Sequence, residues 1–260
     1  MENSLIVCGG SGAHTAVAFL RLHILGHPLG FLQRAGEPLD FPSLFLVDQD
    51  AGDGADREPT AWQLVRRLIA EHPGRHDWMA TIGRADPPER VQATPLPVVT
   101  NQAWFRRPYN RLESRFEGSV ALDLLASERQ REIDFSRGMM GSPAIGSLLF
   151  RFKDFDQRGK DLNCDEKFGQ LLDTQGRVVV AGSGVGGTGA AVVPTLASRL
   201  AGMGNNDVMA VVLLNWFEFD EEGQDDTIRA RAAYRNRVMR ENANSSLEFY
   251  GQTLARNVAA

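Results

Sequence analysis

From Val180 to Leu200 the chain reads VAGSGVGGTGAAVVPTLASRL, with glycine at 182, 184, 186, 187 and 189 around Thr188. Glycine is needed where backbone takes positive φ or where a ligand comes closer than a Cβ allows, and so many cost chain entropy that packing alone seldom requires. The chemistry such a loop offers is anion binding. A helix that follows it aims unpaired N–H groups and a positive dipole end at the loop, which suits a phosphate. The same order recurs near the start, where Gly9-Gly10-Ser11-Gly12 reads as a turn between the apolar run Leu5 to Cys8 and the helical pattern Ala13 to Leu25. A third loop, Arg137-Gly138-Met139-Met140-Gly141-Ser142-Pro143, brings an N-cap serine and a proline fit for the first helical position. Asp48 and Asp50, just past the apolar run Leu44 to Val47, are carboxylates that can hold a ribose or, through water, a magnesium ion.

These groups need strands to launch them and helices to receive them. Val178 to Val180 is a β-branched strand, and the apolar segment after Gly189 continues it as a helix. Val208 to Leu214 is apolar throughout, as parallel strands buried on both faces are, and runs into Asn215-Trp216-Phe217-Glu218-Phe219-Asp220. Thr227 to Glu241 reads as a charged surface helix. Asn242-Ala243-Asn244-Ser245-Ser246 reads as a break, with a second helix from Leu247 to Val258. Strands followed repeatedly by helices predict an α/β fold, a three-layer αβα Rossmann-like nucleotide-binding domain with a mainly parallel sheet. Residues 55–132 differ in texture. Thr60 to Ala70 has helical spacing, but prolines interrupt the remainder. His72 and His76 lack a third metal ligand. The cluster Trp104, Phe105, Arg106, Arg107, Tyr109, Arg111 and Arg115 is a mixture that can dock a partner or a nucleic-acid strand. It is more often a solvated insertion whose arginine stems cover aromatic surface, the reading we favour.

The 260 residues fit one large domain or two small ones, and 43% hydrophobic with 23% charged residues is ordinary globular composition. A net charge of −5 argues against general nucleic-acid or membrane-surface binding. Cys8 and Cys164 are too few for a disulfide framework, and no signal-type or membrane-spanning apolar run is present. A cytoplasmic location is the expectation.

The order of the loops resembles the GTP-binding domain of the tubulin/FtsZ superfamily. VCGGSGAHTA at 7–16 looks like that family's first glycine loop, and FLVDQDA at 45–51 like its second strand with an Asn-Thr-Asp-type loop. RGMMGSPAIG at 137–146 is similar to the loop that senses the γ-phosphate, and AGSGVGGTGAA at 181–191 to the Gly-Gly-Gly-Thr-Gly loop. AVVLLNWFEFD at 210–220 looks like the strand leading to the ribose loop. The resemblance implies one domain over 1–260 with an insertion at about 55–132. It implies GTP or GDP with Mg2+ as cofactors, and self-association or a protein partner governed by the nucleotide.

Carried over by position, the nucleotide contacts are Gly9, Gly10, Ser11, Gly12, Asp48, Asp50, Gly138, Gly141, Ser142, Gly184, Gly186, Gly187, Thr188 and Gly189. Glu218 or Asp220 would take the ribose, and Asn242 or Asn244, the latter preferred as a contact, would read guanine. Val185 replaces a usual glycine, and Asp220 stands where a glutamate is usual. The family's hydrolytic acids follow a central helix that would begin near Ser245, and the chain ends at Ala260. No residue is therefore assigned to catalysis.

Two other readings stay open. Gly182-x-Gly184-x-x-Gly187 after a strand satisfies the dinucleotide fingerprint of an NAD(P)- or ATP-dependent enzyme. That fingerprint normally opens its fold, with an acidic residue about 20 positions on. Here it lies past the middle, and Asp207 precedes its strand. The other reading is an interaction module that keeps the fold without a nucleotide.

Overall fold

In a computed structural model of the chain, the described residues are 3–24, 43–48, 61–71, 127, 139, 141–144, 146–147, 176–202, 206–215, 218–222 and 225–258. They form β1 (Asn3–Cys8), α1 (Gly9–Ile24), β2 (Ser43–Val47), α2 (Ala61–Glu71), β3 (Gly176–Ser183), α3 (Gly187–Gly202), β4 (Asn206–Leu213) and α4 (Asp226–Val258). The four strands make an all-parallel sheet in the order β2-β1-β3-β4. The fold is α/β and compatible with a Rossmann-like arrangement.

The register explains the core. Leu5, Leu44 and Val179 lie side by side, as do Val7, Leu46 and Ala181. These residues share one sheet face and are buried with Ala13, Ala16, Val17, Phe19 and Leu20 of α1 and with Ala61 and Val65 of α2. Burying each large aliphatic chain there contributes about 1.5–3 kcal/mol. Gly182 has the opposite parity to Ala181, and a Cβ on it would meet Cγ2 of Val193 at 2.7 Å. So α3 packs on the other face, inserting Val192, Val193, Leu196 and Leu200. Helix α2 lies inside the segment read as an insertion, yet Val65 is fully buried against α1. The rest of 55–132 lies outside the described residues apart from position 127, and so do Asp50 and Gly138.

Three expectations are corrected. Residues 9–12 are the first turn of α1 and not a separate turn, with Gly9 at φ 74° making the change from strand to helix. Among the described strands β4 lies at the sheet edge, where Met209 is 49% exposed, so its apolar run does not mean burial on both faces. Residues 242–246 do not break the last helix; α4 is continuous from Asp226 to Val258. Its inward face is the run Ala232, Asn236, Met239, Ala243, Ser246 and Tyr250, spaced by fours and threes. From that face Asn236 and Ser246 bond loop backbone, at Phe219 and Gly184.

Candidate functional site

Strand β1 is followed by β2 on one side of the sheet and by β3 on the other. The connections therefore diverge between the carboxyl ends of β1 and β3, the crevice where open parallel sheets bind ligands. Both glycine loops leave the sheet there. A small cleft of about 90 Å³ is lined by Cys8, Gly9, Gly10, Ser11, Met139, Ser183, Gly186, Gly187, Thr188 and Gly189. That volume is room for a few waters or one small group. The first turns of α1 and α3 both face it, and the first four N–H groups of a helix have no partner within it.

The glycines divide by what a Cβ would meet. At Gly189 it would lie 2.6 Å from Ser183 N and 2.7 Å from Ser183 O, and at Gly187 2.6 Å from Met139 Cβ. At Gly182 it would reach Cys8 O at 2.9 Å, and at Gly12 Ala181 O at 3.1 Å. These positions need glycine so that helix and strand, or loop and loop, can touch. Packing thus accounts for more of the glycines than the sequence suggested, and no described glycine of 182–189 has positive φ. Gly10 has nothing within 4 Å of a built Cβ, and Gly186 only Ser183 at 3.8 Å and beyond. Those two line the cleft without a packing reason to be glycine.

The loop between β3 and α3 is held on several sides. Gly184 N–H donates to Leu213 O at 2.9 Å, and Val185 N–H to Ser183 Oγ at 3.1 Å. From α4, Ser246 Oγ donates to Gly184 O at 2.7 Å, and Asn242 Nδ2 to Val185 O at 3.1 Å. Thr188 Oγ1 donates to Asp48 Oδ1 at 3.2 Å, joining the first turn of α3 to the residue just past β2. The Cys8 thiol beneath is fully buried, and burial with the nearby Asp48 charge pushes its pKa far up, so it stays a neutral thiol.

Of the residues read from the sequence, Gly9, Gly10, Ser11, Gly186, Gly187, Thr188 and Gly189 come together in the cleft. Asp48 reaches it through Thr188. Gly12, in the first turn of α1, is buried against Val7 and Ala181 of the sheet, and Gly184 is sealed by β4 and α4. Gly141, at φ 71°, and Ser142 stand outside the lining, with Ser142 at an N-cap position whose carbonyl accepts from Gly146 N–H at 3.1 Å. Glu218 faces Arg240 at 3.6 Å, and Asp220 Oδ1 accepts from Glu222 N–H at 2.8 Å, so neither carboxylate lines the cleft. Asn244 is exposed on α4, and Asn242 is engaged with loop carbonyls.

Sequence reasoning passed over Ser183, Met139 and Asn236. Ser183 sits inside the glycine run and its hydroxyl turns the loop, which a serine at a strand end can signal. Asn236 is 1% exposed, and its amide accepts from Phe219 N–H at 2.7 Å and donates to Phe219 O at 2.9 Å. Its place at the inward spacing of α4 was the available signal.

Among the described residues no group of three or more His, Cys, Asp or Glu side chains could hold a metal, and no helix is long and apolar enough to cross a membrane. No protein-family model matches the chain, and no curated protein or solved structure matches it, so the geometry of the cleft carries the functional argument.

Proposed function

We propose that the chain is a three-layer αβα nucleotide-binding domain of the tubulin/FtsZ kind, taking GTP or GDP through its phosphates. The observation that carries this is the convergence of two glycine-led helix N-termini on one cleft at the point where the strand order diverges. Gly10 and Gly186 leave room for close approach, so the cleft fits a phosphate. A carboxylate 3.2 Å from Thr188 Oγ1 would repel a bare phosphate, and Asp48 with Thr188 suits a magnesium ion between them and the anion. Mg2+ would neutralise phosphate charge there. The nucleotide would in turn govern self-association or a protein partner.

The dinucleotide reading is weaker. Asp207, the acid after its fingerprint, lies at the amino end of β4 and pairs with Arg177 at 3.6 Å, at the opposite end of the sheet from the cleft. Calorimetric titration with GTP, GDP, ATP and NAD+, each with Mg2+, tests the proposal. Saturable binding of the guanine nucleotides is expected. Binding of NAD+ alone revives the dinucleotide reading, and binding of none leaves an interaction module.

A further inference from the structure

We propose that Asn242 is a positioning residue of the phosphate cleft, setting the direction of the Val185–Gly186 peptide; this rests on the nucleotide reading above. Asn242 lies halfway along α4, far in sequence from either loop it touches. Its Nδ2 donates to Gly141 O at 3.3 Å and to Val185 O at 3.1 Å. Two carbonyl acceptors require the NH2 end of the amide, so the side chain acts as a double donor. One turn further on, Ser246 Oγ donates to Gly184 O at 2.7 Å. The two loops also abut directly, since a Cβ on Gly187 would lie 3.2 Å from Gly141 N. Asn242 therefore closes a seam between Gly141, beside the Ser142 N–H bond to Met139 O, and the loop at 184–187.

The consequence lies in the peptide plane. In a trans peptide C=O and N–H point in opposite directions. Fixing the Val185 carbonyl toward α4 thereby fixes the Gly186 N–H away from it, and Gly186 lines the cleft without a packing constraint of its own. Without the Asn242 bond, the Val185 carbonyl loses the partner that sets its direction, and the Gly186 N–H is aimed less well at the phosphate.

The test compares Asn242→Asp with Asn242→Gln, reading affinity for GTP with Mg2+ by calorimetry. Aspartate keeps the shape but removes both donors and sets a carboxylate against two carbonyls. Glutamine keeps the donors on a longer stem. A role in helix packing alone favours aspartate, whereas a double-donor role favours glutamine. The expected result is a loss of roughly tenfold or more for Asn242→Asp, the scale of one hydrogen bond to a charged group. Asn242→Gln is expected within about threefold of the wild-type chain, a small fraction of that scale. Wild-type affinity in Asn242→Asp, or equal losses in both, overturns the inference while leaving nucleotide binding intact. Should either variant fail to fold, hydrogen exchange on the wild-type chain decides: Mg2+-GTP should slow the Gly186 and Ser142 amides together, and independent responses overturn it. A wild-type chain that binds no nucleotide overturns both readings.

Discussion

Alanine placed at Gly189 and at Gly186, one at a time, separates the glycines that let the chain pack from those that let a ligand approach. At Gly189 the new Cβ would lie 2.6 Å and 2.7 Å from backbone atoms of Ser183 and 3.2 Å from Cys8 O. Carbon contacts are favourable only near 3.5–4.0 Å, so α3 would have to move off β3 by about 1 Å. Overpacking of that kind costs about 3 kcal/mol, partly offset by about 1 kcal/mol from removing a helical glycine. Gly189→Ala should therefore lower unfolding free energy by about 2 kcal/mol. At Gly186 the nearest atom is 3.8 Å away, an ordinary contact, and stability should change by less than about 1 kcal/mol. The same Cβ stands where a phosphate would approach the backbone, and loss of one charge-assisted hydrogen bond weakens binding about ten- to a hundredfold. Urea denaturation and GTP calorimetry on both variants make the measurement. Wild-type stability in Gly189→Ala would refute the packing argument. Wild-type affinity in Gly186→Ala would remove that glycine from the site.

Other substitutions test neighbouring parts. Thr188→Ala should weaken GTP binding by roughly 1–2 kcal/mol with Mg2+ present, checked by calorimetry; it removes the hydroxyl's hydrogen bond to the Asp48 carboxylate. Asn236→Ala removes three hydrogen bonds, to the Phe219 N–H and C=O and to the Glu221 carboxylate, and should cost about 2–4 kcal/mol in a denaturant melt. Burial raises the Cys8 pKa above the free thiol's 9.0, so the unfolded chain releases that proton first. Stability should then fall as pH rises above about 9, at up to about 1.4 kcal/mol per unit. Cys8→Ala should flatten that slope in urea melts at pH 8 and pH 10, and an unchanged slope would clear Cys8 of the effect.

The strands were legible because each is a short apolar run, and all four lie where Leu5 to Cys8, Leu44 to Val47, Val178 to Val180 and Val208 to Leu214 predict. Their ends shift by a few residues, since Gly182 and Ser183 extend β3 although glycine reads as a turn. Whether a strand is central or at the edge depends on its neighbours, which the apolar run of β4 does not record; among the described strands it is an edge one. The break read at Asn242 to Ser246 failed for a related reason: small polar residues are poor helix formers in isolation but suit a helix face packed on loop carbonyls. The cleft was legible in its glycines and Thr188. Asn242 and Ser246 were not, because what they hold is backbone, and a carbonyl partner leaves no trace in side-chain pattern. The carboxylates Glu218 and Asp220 were assigned from loop order alone, and order does not fix which way a side chain turns.

If the cleft between the first turns of α1 and α3 holds nucleotide phosphate, adding GTP with Mg2+ to the intact chain shifts the backbone amide resonances around it. The largest changes are expected at Gly10, Ser11 and Gly186 through Gly189, saturating together with a single affinity. Resonances that stay unmoved, or changes confined to residues away from that cleft, would contradict it.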